Sequence, residues 1–165
     1  MDNEKKLKAL AAIARKLNQD GITWAVGGSM LLYFKNIVPE FHDIDIMVME
    51  EDAQAAKEAL MRMGALKPSK PKPQYKTKTF LEFVVGGVEV DVLAGFAIVK
   101  DGVEYDCSLK KGEITEFAVL ENEKIPLHSL TAWRRNYELM GEAFKVKLID
   151  ATAVKSESPI IRRNA

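Results

Sequence analysis

Apolar residues recur at three- and four-residue steps through Leu7, Leu10, Ala14 and Leu17, which predicts an amphipathic helix ending near Asp20-Gly21. Residues 22–26 are a short apolar strand stopped by Gly27-Gly28. Ser29 then stands where a short side-chain oxygen can cap a second helix over 30–34. After a loop containing Pro39, residues 44–49 predict a further strand. Glu50 and Glu51 follow, at the positive end of an Ala-rich helix that runs to about Met63. Residues 80–85 and 88–93 flank Gly86-Gly87, a strong two-residue hairpin signal, and Asp101-Gly102 marks another turn. Residues 114–120 predict the last strand, and 127–140 and 142–153 predict two helices broken at Gly141. Trp24, Trp133, Tyr137 and Phe144 fall at core-like spacings and are assigned to packing.

Between these elements, residues 67–78 hold three prolines and five lysines and predict a solvated connector. Residues 155–165 are polar, contain Pro159 and predict a disordered tail. No repeat or linker divides the rest, so residues 1–154 are expected to form one α/β domain.

Composition narrows the function classes. Lys plus Arg equals Asp plus Glu, 24 each, which argues against a dedicated nucleic-acid binder with a strong overall field. Cys107 is the single cysteine, so no internal disulfide forms and a reducing compartment suits the chain. The opening residues lack the apolar core of a signal peptide, and no apolar run is long enough to span a bilayer. A cytoplasmic protein is the expectation. There is no Walker Gly-Lys-Ser/Thr, no G-x-G-x-x-G and no Cys cluster.

The candidate chemistry lies in Gly27-Gly28-Ser29 and Asp43-Ile44-Asp45-Ile46. Side chains alternate along a strand, so Asp43 and Asp45 share one face with Cα atoms roughly 7 Å apart, while Ile44 and Ile46 point into the core. Two like charges on one face repel unless a cation lies between them. A divalent metal carrying nucleotide phosphates meets that need. Val88-Glu89-Val90-Asp91-Val92 repeats the alternation, placing Glu89 and Asp91 opposite the valines.

A strand, a Gly-Gly-Ser turn into a helix and an Asp-hydrophobic-Asp strand resemble the nucleotidyltransferase superfamily that includes DNA polymerase β. The nearer resemblance is to short bacterial nucleotidyltransferase-like proteins of the abortive-infection toxin type, whose ending is similar to Ile125-Pro126-Leu127-x-Ser129-Leu130 followed by a helix with a Tyr and a Gly-x-x-x-Lys step. The resemblance spans residues 22–151. It implies a minimal fold: a mixed, twisted sheet with helices mainly on one face and two C-terminal helices. It also implies transfer of an NMP from an NTP to a hydroxyl acceptor with two Mg²⁺ ions. Asp43, Asp45 and Asp91 would be catalytic and metal-binding, with Glu89 as the nearby substitute for Asp91. Gly27, Gly28, Ser29 and Lys145 would bind the nucleotide. The acceptor is left open among an RNA or tRNA end, a protein and a small molecule, and a homodimer or a cognate antitoxin is a possible partner. The alternative is a catalytically inactive member that binds nucleotide or a partner in a toxin–antitoxin system.

Other residues read more plainly. His42 is expected to be exposed beside Asp43, and His128 to be structural at a helix start. Lys145 and Lys147 read as a solvated face, with the resemblance alone drawing Lys145 toward phosphate. Arg134 and Arg135 are ambiguous.

Overall fold

A computed structural model describes residues 3–68 and 75–155. Helix α1 (Asn3–Gln19) leads into strand β1 (Trp24–Gly27), helix α2 (Gly28–Phe34) and strand β2 (Ile44–Val48). A short 3₁₀ turn precedes α3 (Ala53–Met61), then come β3 (Ala65–Lys67) and the hairpin β4 (Thr79–Val85) and β5 (Val88–Ala94). A second hairpin, β6 (Ala97–Lys100) and β7 (Val103–Asp106), is followed by β8 (Ile114–Leu120), β9 (Glu123–His128), α4 (Leu130–Met140) and α5 (Ala143–Lys155).

Seven strands form one mixed sheet in the order β3-β4-β5-β2-β1-β9-β8, and β6–β7 form a separate two-stranded ribbon. β2 runs parallel to β5 and β1 parallel to β9, while the other pairs are antiparallel. Ile44, Ile46, Val88, Val90 and Val92 are almost fully buried. Helices α1 and α3 pack on each other and on strands of the sheet, covering that face. Helix α4 packs on β6 of the ribbon and on α2, which in turn packs on β1 and β2. The expected α+β arrangement, with a mixed sheet, helices mainly on one face and two helices at the end, is therefore what the chain adopts.

Several expectations are corrected. Residues 114–120 are not the last strand: β9 follows, and it includes Leu127 and His128, which had been read as the start of a helix. Pro126 breaks the strand pattern in the sequence, since proline cannot donate to a ladder. β9 pairs with β1 only through Val26 opposite Leu127, and with β8 along most of its length. Helix α4 starts later, where the Ser129 hydroxyl accepts from the Ala132 N–H at 3.2 Å, and it ends at Gly141, whose φ of 80° suits the left-handed cap. Ser29 is not a cap either: α2 begins at Gly28, and Gly27 is the residue before it. Phe144 is 70% exposed and packs no core. Parts of the connector, residues 69–74, and of the tail, residues 156–165, lie outside the described residues.

Candidate active site

Strand register brings the acids together. Asp45 stands opposite Gly27 of β1 on one side and opposite Asp91 of β5 on the other. Glu82 of β4 stands opposite Asp91, and Lys67 of β3 opposite Glu82. Asp43, in the bend just before β2, lies near Glu89, whose charge helps to raise its pKa. Lys67 closes the group with a 3.0 Å ion pair to Glu89. Glu82 and Lys67 were not anticipated, because nothing in the sequence states which strands pair.

The Gly-Gly-Ser turn abuts Asp45 directly. Gly28 has φ +62°, and a Cβ built there would lie 1.9 Å from Asp45 Oδ2. Gly27 has an ordinary φ of −123°, but a Cβ there would lie 2.4 Å from Cζ2 of Trp133. Both glycines thus make room for the chain's own side chains. The Ser29 hydroxyl accepts from the His42 N–H at 3.2 Å, tying α2 to the residue before Asp43. From the other side, buried Lys6 donates to the Phe41 carbonyl at 2.6 Å.

Electrostatics follow from this crowding. Water reaches part of the Asp45 surface, but its carboxyl lies deep in the molecule. Desolvation, then the charges of Asp91 and Asp43, push it well above the usual carboxylate range, and Lys145 only partly opposes this. Asp43 is raised by burial and by Glu89, with His42 and Lys6 pulling it down.

As they stand, no three His, Cys, Asp or Glu side chains among the described residues converge closely enough to hold a metal ion. Asp43, Asp45 and Asp91 still line one cleft, and the charges of Asp43 and Asp91 both act on Asp45. The donor set nevertheless fits a hard divalent cation, being all carboxylate and carrying repulsion that a cation would relieve.

Above the acids opens a cleft of about 470 Å³, lined by Gly28, Ser29, His42, the three aspartates and a set of apolar side chains. Such a volume suits a small-molecule ligand. Trp133, Tyr137, Met140 and Lys145 from α4 and α5 close it. Trp133 and Tyr137 are buried as expected, yet they also form the cleft wall. Their i, i+4 spacing announces a shared face, but not what that face meets. The Lys145 ammonium sits 4.9 Å from the centre of the Tyr137 ring. The Tyr137 hydroxyl has no hydrogen-bond partner among the described residues, and burial with the nearby Asp45 charge raises its pKa.

The remaining candidates are structural or exposed. His42 is exposed at the cleft edge, and Lys147 is exposed and does not line it. Arg134 ties α4 to α5 through Asp150, at 2.6 and 3.1 Å, and Arg135 donates to the Asp106 carbonyl. His128 is buried. Its Nδ1 accepts from the Trp133 indole N–H at 3.0 Å, so Nε2 carries the proton and donates to Glu113 at 2.9 Å. Burial lowers its pKa, outweighing Glu113. The unfolded state therefore binds this proton more readily, and stability should fall as pH drops below about 6.5. Protonation would also turn Nδ1 into a donor and release Trp133. An NMR titration should show the Trp133 indole resonance moving with His128; an indole signal that stays constant while His128 titrates would exclude the coupling.

No family model matches the chain, and no curated protein is similar enough to match. Solved structures are. A Thermotoga maritima protein with a provisional nucleotidyltransferase assignment superimposes with a TM-score of 0.72 at 22% identity, over 94% of this chain and 97% of the other. The chain has the nucleotidyltransferase fold. ANT(2")-Ia in complex with adenylyl-2"-tobramycin gives 0.64 at 12% identity, over 90% and 88%. The lincomycin-bound lincosamide antibiotic adenylyltransferase LnuA gives 0.58 at 15% identity, over 87% and 95%. These likenesses span 87–94% of this chain and 88–97% of the others.

Proposed function

We propose that the protein is a divalent-metal-dependent nucleotidyltransferase that moves an NMP from an NTP to a hydroxyl acceptor. One observation carries this reading: Asp45, flanked by Asp43 and Asp91 in a cleft, has its charge destabilised by burial and by both neighbours, directly against a positive-φ glycine turn. Such strain in a site is characteristic of catalytic groups. The nucleotidyltransferase fold of the chain supports the same class.

Asp43 and Asp45 would hold the nucleotide-bound Mg²⁺, and Asp91 would complete a second site. Ions bound there would offset charge on the transferring phosphoryl group and the leaving pyrophosphate. The chain's own groups do the rest. Asp91 orients the acceptor hydroxyl and takes its proton as the acceptor oxygen bonds to the α-phosphorus. The bond from that phosphorus to the bridging oxygen breaks, and pyrophosphate leaves. Ser29 donates its hydroxyl hydrogen to a phosphate oxygen, Lys145 supplies a cation, and Trp133 and Tyr137 exclude water. Lys67 holds Glu89, the acid nearest Asp43 on β5, through a 3.0 Å ion pair.

Ser29→Ala tests the turn. Loss of one hydrogen bond to an anion is worth about 1.5–3 kcal/mol, so calorimetry should show Mg·ATP binding about ten- to a hundred-fold weaker. Unchanged affinity in the folded variant would confine Ser29 to holding the His42 N–H.

A second reading, a non-catalytic member binding nucleotide or a partner as in toxin–antitoxin systems, draws on the lack of a preformed three-donor cluster among the described residues. Release of pyrophosphate from ATP with a candidate acceptor separates the two: the transferase reading requires it and the second forbids it. A cytoplasmic setting belongs to either proposal. No helix among the described residues is long and apolar enough to cross a membrane.

A further inference from the structure

The site has a direction across the sheet. β1 and its glycine turn lie at one end, β2 with Asp45 comes next, then β5 with Asp91, then β4. On the reading above, phosphates lie at the β1 end and Asp91 takes the acceptor's proton. The acceptor must then approach from the β5–β4 end.

That end is apolar. Leu93 lies one same-face step beyond Asp91 on β5, and Phe80 stands opposite it on β4. Both are partly exposed and line the cleft. Tyr75 and Phe96 follow with ring centroids 5.9 Å apart, and the far side of Phe96 stacks on Trp133, which sits against Gly27 toward the β1 end, at 6.1 Å with an interplanar angle of 24°. Met140 completes the wall. Tyr75, Phe80 and Leu93 are thus apolar side chains left partly exposed in the cleft, surface for a ligand to cover. The flanking lysines Lys67 and Lys78 are held by Glu89 and Glu50, each at 3.0 Å. The floor bears Asp91 with Glu82 beside it. A phosphate-bearing acceptor entering here would meet carboxylates and aromatic rings first.

We propose that this end of the cleft is an acceptor subsite for a small, uncharged molecule that presents a flat ring and a hydroxyl. The proposal rests on the transferase reading for its direction, but its recognition chemistry comes from the ring-lined wall. Aromatic faces prefer offset stacking on a flat partner, and burial of an uncharged ring leaves no unpaired charge behind.

The test uses 2-naphthol, a flat neutral hydroxyl compound, titrated into the full chain with and without Mg·ATP. Saturable binding is expected, and Mg·ATP should leave it unchanged or tighten it. Leu93→Asn and Phe80→Ser, checked for folding by circular dichroism, should each weaken 2-naphthol about tenfold and change Mg·ATP affinity by less than about twofold. Displacement of 2-naphthol by Mg·ATP would assign the wall to the nucleotide's base and overturn the proposal. So would the absence of saturable binding, or competition by a single-stranded RNA oligonucleotide with a free 3′ hydroxyl. If 2-naphthol binds as expected but Mg·ATP binds nowhere, the transferase reading falls, and the wall is a ring-binding site without an acceptor role.

Discussion

Asp45→Asn should abolish nucleotidyl transfer and, in metal-free protein, raise the melting temperature. The two effects have one origin. Asp45 sits between two other aspartates in a poorly solvated position, so its charge is destabilised in the apo fold and useful only when a cation shares it. Asparagine keeps the shape and removes the charge. Loss of a metal-holding carboxylate removes several kcal/mol of transition-state stabilisation, so the rate should fall by about a thousandfold or more.

The stability gain has a definite sign with pH. The folded-state pKa of Asp45 lies above the unfolded value of 3.8, so the folded chain holds this proton more tightly. Wild-type stability therefore falls as pH rises from about 4 and stops falling above the folded-state pKa. Each unit of such a shift corresponds to about 1.4 kcal/mol. In EDTA at neutral pH the variant should melt at least about 2–4 °C higher, and the gap should close below the unfolded pKa. Added Mg·ATP should reverse the order, because only the wild type gains binding free energy. Activity within a few-fold of wild type would exclude Asp45 from the chemistry. An unchanged apo melting temperature across the pH range would show that its charge is not destabilised.

Gly28→Val should damage both fold and site. The residue has φ +62°, a region that β-branched side chains rarely occupy, and its new Cβ would fall 1.9 Å from Asp45 Oδ2. A left-handed non-glycine residue costs about 1–2 kcal/mol, and displacement of the carboxylate adds to it. A total of about 3 kcal/mol would lower the melting temperature by about 6–12 °C for a domain of this size. Mg·ATP affinity should fall more than in Ser29→Ala, since the backbone turn and Asp45 both move. Gly27→Ala is the informative companion. Its φ is unstrained, so its damage should be confined to the Trp133 ring and the cleft wall. Near-normal melting and Mg·ATP affinity in Gly28→Val would show that turn and carboxylate do not depend on each other.

Much of the site was legible without the structure, for a definite reason. Glu89 and Asp91 share a face because alternation is a property of any extended backbone, wherever the strand lies, whereas Asp43 sits in the bend just before β2. The Gly86-Gly87 hairpin, the end of α1 and the Gly141 break are likewise local, set by which residues tolerate a turn. Even the order of glycine turn, paired acids and later acid is carried along the chain.

What the linear pattern left open was every relation between distant segments. Period-2 alternation says that Asp91 faces away from the valines. Only the parallel pairing of β2 with β5 puts it opposite Asp45, and only the β4–β5 register adds Glu82. The resemblance implied that Gly27 and Gly28 bind the nucleotide, and packing sets Trp133 and Asp45 against them. Trp133 and Tyr137 looked like core in sequence, and they are core. Their second role as cleft wall arises from where α4 docks. Pro126 hid β9, because a proline argues against a strand locally, whereas the strand is held by neighbours on both sides. Local geometry is set by each residue's own backbone and side chain. The partners of a face are set by the packing of the whole chain, to which no short stretch of sequence has access.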